Sequence, residues 1–228
     1  MAKSEKKQLK GGEKSLWDEV AFLKRDRILN EAAKLFGERG YHGTTIDDIA
    51  DRFGATKPFV YYHFKSKLDL LIELCERGTT EALNAAERAI SASGTPRKRL
   101  DQFVRDFTAV VLENQQYVKI YFREEINLPK AHSDRINRMR KEIDWKLTKL
   151  LEEGVKSGEF SIDDPRMCCL VIGGMISYAF AWYRREGRLR NSEICNQMSR
   201  LVLNMVDGRE DIGVETPADQ LPSAAQIQ

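Results

Sequence analysis

The chain is poor in the residues that build covalent or catalytic frameworks. Its 228 residues include 4 cysteines, 3 histidines and 6 prolines. Cys75, Cys168, Cys169 and Cys195 form no CxxC pair and no histidine pairing accompanies them. That spacing argues against disulfides or metal ligands and for buried thiols in a reducing cytosol. His42, His63 and His132 stand in a loop, an aromatic helix and a charged stretch, so no Ser/His/Asp trio can be assembled around them. No glycine-rich phosphate loop follows a strand. Enzyme activity is therefore not expected, and no catalytic residue, metal or cofactor is assigned. An N-terminal apolar run is missing too, so no signal peptide is expected. The longest apolar stretch, Met167 to Phe180, is too short and glycine-broken to span a bilayer. A cytoplasmic protein with no membrane partner follows as the expectation. Charge of one sign is also lacking: 37 Lys and Arg against 35 Asp and Glu leave +2. Whole-chain charge thus does not announce nucleic acid.

What is present is helical periodicity, with no convincing strand pattern. Met1 to about Leu16 is lysine-rich and non-periodic, which predicts a disordered basic arm reaching to residue 22. A first helix is expected over about Leu23 to Arg39, with Gly40 as its stop. Thr45 reads as an N-cap with Asp48 as capping-box partner of a short helix, Ile46 to Phe53. Gly54 supplies a turn. Thr56 can cap a third helix whose first turn holds Pro58. Further helices are expected from Ser66 to Ile90, Pro96 to Glu113, Tyr117 to Ile126, Lys130 to Ser157, Arg166 to Arg185 and Ser192 to Val206. The fold class is all-α with about nine helices. The expected organisation is a basic arm over 1–22, a DNA-binding head over 23–70, a ligand-binding and dimerisation domain over 71–207, and a loose tail over 208–228.

Two short helices with a tight turn, the second polar and aromatic, have the layout of a helix-turn-helix. The second helix must pack on one face and offer donors on the other. In TKPFVYYHF, Val60 and Phe64 suit the core. Thr56, Lys57, Phe59, Tyr61, Tyr62 and His63 are left for DNA: Lys57 for guanine or phosphate, Phe59 for thymine methyls, Tyr61 and His63 for phosphates. Thr44 and Thr45 sit at a helix N-terminus that favours a phosphate, and Lys67 adds a phosphate partner. The lysine arm reads equally as a minor-groove arm or a solvated tail.

These residues resemble the TetR family. The match is G-x-x-x-T-T-I-x-D-I-A from Gly40 to Ala50, the Gly54-Ala55 turn, and Tyr61-Tyr62-His63-Phe64-Lys65-Ser66-Lys67. The resemblance implies a homodimer on near-palindromic double-stranded operator DNA, with Tyr61, His63 and Lys67 holding its backbone. Asp47 stands where some members place a base-reading arginine, which implies fewer bases read from the second helix. A second match, Trp182, Tyr183, Arg184, Gly187 and Leu189, is similar to a W-Y-R-P-x-G-x-L signature of members that govern fatty-acid and steroid-ring catabolism and respond to acyl-CoA. Arg185 replaces the proline. The signature reads as structural.

The aromatic residues of the larger domain mix core and cavity positions. Phe103, Phe107, Tyr117, Tyr121, Trp145, Tyr178 and Trp182 are the ligand-binding candidates. Arg135, Arg138, Arg140, Lys141 and Lys146 offer cations for acyl-CoA phosphates, or a solvated face paired with Glu142 and Asp144. The effector is expected to be an acyl-CoA or an aromatic or amphipathic compound tied to efflux. A ligand-sequestering helical protein is the reading from another class.

Overall fold

The computed structural model describes residues 2–208, with side chains from residue 19 onward. Among the described residues every regular element is helical: α1 (Ala2–Arg39), α2 (Ile46–Phe53), α3 (Lys57–His63), α4 (Lys67–Ser91), α5 (Pro96–Glu113), α6 (Gln115–Glu124), a 3-10 turn (Glu125–Asn127), α7 (Lys130–Lys156), α8 (Pro165–Ser177), α9 (Ala179–Trp182) and α10 (Asn191–Val206). The expected loose tail lies, from residue 209 on, outside the described residues.

Helix ends follow local chemistry. Gly40 and Gly54 take φ of 78° and 79°, a left-handed conformation that side chains disfavour. The Asp48 amide donates to Thr45 Oγ1 at 3.1 Å, and the Thr45 amide donates to Asp48 Oδ2 at 2.8 Å. The Thr45 hydroxyl, donating to Asp48 Oδ2 at 2.6 Å, and the Thr45 amide, with Arg39 nearby, hold the Asp48 carboxyl below its usual range. Ser66 and Asp164 cap α4 and α8. Thr56 makes no side-chain cap bond, contrary to expectation. Pro58 has no N–H to give it, and the Phe59 amide bonds the Thr56 carbonyl instead, at 3.0 Å.

Several boundaries differ from the sequence reading; α6 begins and ends two residues earlier than expected. The first helix begins at Ala2, not Leu23. Lys, Glu, Gln and Ala extend a helix readily once a packed segment supplies the nucleus. The helix expected over Arg166 to Arg185 is broken after Ser177. The Ala181 amide bonds the Tyr178 carbonyl at 3.0 Å at the break, and Gln115 Nε2, donating to the carbonyls of Phe180 at 2.8 Å and Tyr183 at 2.9 Å, ends α9 short of Arg185. The 13 residues of α8 then span about 20 Å, short of the ~30 Å of a bilayer core. The last helix starts one residue before Ser192; Glu193 Oε2 accepts from the Arg190 amide at 2.7 Å.

Two apolar cores form. Ile28, Leu29 and Phe36 of α1, Ile49 of α2, and Val60 and Phe64 beside it make the first, together with Leu70, Leu71 and Leu74 of α4. Ile120 of α6 and Ile136 of α7 complete it. The second joins α5, α7, α8 and α10 through Phe103, Leu147, Ile172 and Val202. Helix α4 serves both, since Ala82, Ala86 and Ala89 belong to the second core. The head therefore does not end at a linker; residue 70 lies in the first turn of α4. All four cysteines are buried. Burial, with Glu124 and Glu76 nearby, pushes the Cys75 thiol up to about 12.

Phe160, which is buried, lies flat against Gly154 of α7; a Cβ there would come within 1.9 Å of the ring. Gly154→Ala is expected to cost about 1–3 kcal/mol by overpacking. Gly37→Ala on α1, where a Cβ meets nothing within 4 Å, should gain up to about 1 kcal/mol of helix propensity. Thermal unfolding of the two variants reads the opposite signs; equal shifts would contradict this packing.

Candidate nucleic-acid interface and ligand cavity

The Gly54 turn sets α3 across α2, with Val60 and Phe64 turned into the core. Thr56, Lys57, Tyr61 and Tyr62 remain outside, Tyr62 at 83% exposure. Lys57 Nζ pairs with Asp47 Oδ2 of α2 at 2.7 Å. Phe59 is half-buried; it stacks on Phe53 with ring centres 5.7 Å apart and meets the His63 ring edge-on at 5.0 Å. It therefore braces the head as much as it faces outward. Burial first, then Arg25 and Lys24, lowers the pKa of His63. That shift favours the neutral imidazole.

The Gly40–Thr45 loop corrects part of the expected contact set. Thr44 is fully buried; its hydroxyl donates to the Gly40 carbonyl at 2.9 Å and its amide to the Tyr41 carbonyl at 3.3 Å. No group of Thr44 is left for a phosphate. The Thr45 amide and hydroxyl are used in the capping box, and Asp47 and Asp48 place two carboxylates at the same helix end. A phosphate there meets like charge. Lys67 is committed as well: its ammonium donates to the carbonyls of Tyr41 and Thr44, both at 2.8 Å, and sits over the Tyr41 ring. It positions the loop between α1 and α2.

A partner that the sequence did not mark completes this loop. Glu124, at the end of α6, is 5% exposed. Its carboxylate accepts from the Tyr41 amide at 3.2 Å, Arg123 Nε at 2.9 Å and Asn127 Nδ2 at 2.9 Å. Arg123 also donates to the carbonyls of Phe36 and Gly37 at the end of α1. The other end of α6 reaches α1 too, through the Tyr117 hydroxyl on Asn30 Oδ1. Contacts 80 or more residues apart leave no local signal.

A cavity of about 80 Å³ lies among α4, α5, α6 and α7. Phe107, Tyr117 and Tyr121 line it with Cys75, Val111 and Arg140. Arg140 Nη1 donates to the Tyr121 hydroxyl at 3.2 Å. Burial pushes the hydroxyls of Tyr117 and Tyr121 up. The other four candidates lie outside this cavity. Phe103 is solid core beside Phe107. Trp145, Tyr178 and Trp182 are 59%, 64% and 48% exposed. Trp145 lies off the buried stripe of α7, and the break after α8 turns Tyr178 and Trp182 outward. In the W-Y-R segment, Tyr183 is buried and its hydroxyl bonds Asn191, which makes that motif structural.

Residues 28–74 match the DNA-binding description "Bacterial regulatory proteins, tetR family". Residues 93–206 match "Tetracyclin repressor-like, C-terminal domain". The chain belongs to the TetR family. It is a transcriptional regulator and not an enzyme. Among TetR relatives, the repressor KstR2 of Rhodococcus jostii is 31% identical over 187 residues, 79% of this chain and 90% of that protein. The activator FasR of Mycolicibacterium smegmatis is 31% identical over 102 residues, 45% of this chain and 47% of FasR. This chain thus matches about half the length of FasR. The solved structure of the ketosteroid transcriptional regulator KstR2 of Mycobacterium tuberculosis superposes with a TM-score of 0.74 at 25% identity, over 81% of this chain and 95% of that one.

Two outcomes follow for a TetR head built this way. Lys67→Ala should lower stability by about 1–3 kcal/mol, the range for hydrogen bonds from a charged group, and weaken DNA binding with it. Tyr61→Ala, on an exposed ring, should weaken DNA binding alone. Denaturant unfolding beside binding titrations separates them; a Lys67→Ala protein of unchanged stability contradicts the loop role. His63 has a lowered folded pKa, so its contribution to stability is complete above the unfolded value of about 6.5 and lost as pH falls below it. The wild-type thermal midpoint should therefore drop more steeply on acidification than that of His63→Gln; parallel curves would refute this.

Proposed function

We propose that this chain is a homodimeric repressor released from its operator by an acyl-CoA thioester. The observation that carries the reading is Arg140. It lines the apolar cavity and also borders an outer groove with Asn137, Arg138, Lys141 and the carboxylates of Asp134 and Asp144. Lys146 is paired with Glu142 and Glu87, and Arg135 with Glu76. Arg138, Arg140 and Lys141 have no ion pair among the described residues. An apolar chamber that shares Arg140 with a groove where three cations outnumber two carboxylates suits a ligand with a greasy end and a polyphosphate end. The W-Y-R-x-x-G-x-L segment supports the same subgroup.

The cavity is far smaller than the 300–1,000 Å³ typical of ligand sites. An acyl chain must part α6 from α4 and α5 to enter. That displacement supplies the differential affinity a switch requires. Helix α6 touches the ligand face through Tyr117 and Tyr121, and the head through Asn30, the α1 end and the Tyr41 loop. Moving it alters how the head is held. Two heads must sit about 34–36 Å apart to read consecutive major grooves, so a small tilt is enough to weaken the grip.

The partner copy is proposed to cover α8 and α10. Met167, Leu170, Val171 and Leu201 are about half exposed there, a larger apolar stripe than a lone soluble chain usually presents. The aromatic lining (Phe107, Tyr117, Tyr121 and Phe122) favours a second reading, an aromatic effector.

The test uses an operator fragment enriched from random DNA. Palmitoyl-CoA should release it, and neither free CoA nor palmitate should do so at the same concentration. Arg138→Ala with Arg140→Ala should raise the thioester needed at least about tenfold, the loss of one strong charge-assisted contact or more, without changing DNA affinity. Release by simple aromatics, with the thioester inert, would replace this reading by the second.

A further inference from the structure

One carboxylate stands on the DNA-facing side of the head without a structural task. Asp47 occupies the first turn of α2, and its side chain is 58% exposed. The neighbouring Asp48 closes the capping box; Asp47 caps nothing. Its partner is Lys57 Nζ, 2.7 Å away at the start of α3, on a side chain 47% exposed. A surface pair of this kind adds little to stability. Lys57 shares its exposed face with Tyr61, one helical turn on. A carboxylate so placed, once Lys57 turns from it to DNA, would be repelled by the DNA backbone, which weakens binding to every sequence alike. It gains only by accepting a hydrogen bond from a base amino group.

The edge of a G·C pair in the major groove offers two guanine acceptors, N7 and O6, beside the cytosine N4 donor. The adjacent ammonium and carboxylate of this head present the complementary order, donor then acceptor. An A·T edge puts a donor between two acceptors and adds the thymine methyl, leaving an ammonium no pair of neighbouring acceptors. We propose that Lys57 and Asp47 together read one G·C base pair in each half-site, Lys57 donating to guanine and Asp47 accepting from cytosine N4. Asp47 is then a specificity-determining residue. The inference rests on operator binding through α2 and α3.

Selection from randomised duplex DNA with the full chain tests it. The wild-type site should contain a fixed G·C position in each half. Asp47→Ala should relax that position, with discrimination falling about tenfold or more, while affinity for unrelated DNA holds or rises as a negative charge leaves. Lys57→Ala should relax the same position. Asp47→Asn, which keeps the side-chain shape, should shift preference toward adenine there; it also serves if the alanine variant unfolds. An unchanged consensus in the Asp47 variants, or a uniform loss of affinity on all sequences, overturns the inference and leaves Asp47 a clamp between α2 and α3. A wild-type chain that enriches no sequence overturns operator reading itself.

Discussion

The loop that joins α1 to α2 is gripped from two directions, and the position of the reading helix depends on that grip. Lys67 takes its Tyr41 and Thr44 carbonyls from the α4 side. Glu124 takes its Tyr41 amide from the α6 side. Both are charged groups withdrawn from bulk water, where each hydrogen bond is stronger and each missing one costs more. Because α2 starts at the end of this loop and α3 packs on α2, the direction of α3 is inherited from α4 and α6. The shared core says the same in apolar terms: Ile120 and Ile136 lie in the cluster that holds Phe36, Ile49 and Phe64. Head and body are one packed unit.

This arrangement accounts for the position of the cavity. It lies against the helices that hold the head, with Cys75 and Leu74 of α4 on one wall and Tyr117 and Tyr121 of α6 on another. Whatever enters must disturb elements that already have a second task. The ion pairs between Arg25 and Glu73 and between Arg77 and Asp26 tie α1 to α4 along the same seam. They are partly exposed and individually weak, and they border the apolar packing of α1 on α4 that holds the seam together.

Local chemistry was readable in the sequence wherever a few neighbouring residues decide the outcome. The capping box of Thr45 and Asp48, the left-handed stops at Gly40 and Gly54, and the inward pair Val60 and Phe64 are of this kind. Most helix limits fell within a residue or two for the same reason. Illegible features depend on partners distant in the chain. Nothing near Thr44 says that its hydroxyl turns inward, and nothing near Lys67 says that two carbonyls occupy it. An aromatic stripe likewise gives helix faces but not which face meets a void, so Tyr178 was indistinguishable from Tyr121. Arg140 looked like any other cation of α7 until its neighbours were known.

Gln115 has a consequence of its own. Its single amide fixes the carbonyls of Phe180 and Tyr183 at the start of α6, while Glu124 and Arg123 anchor the finish. A ten-residue rod fastened at both tips cannot pivot at one of them in isolation. Any shove delivered midway along it must be shared between the α9 corner and the α1 terminus, so the corner and the head report on the same event.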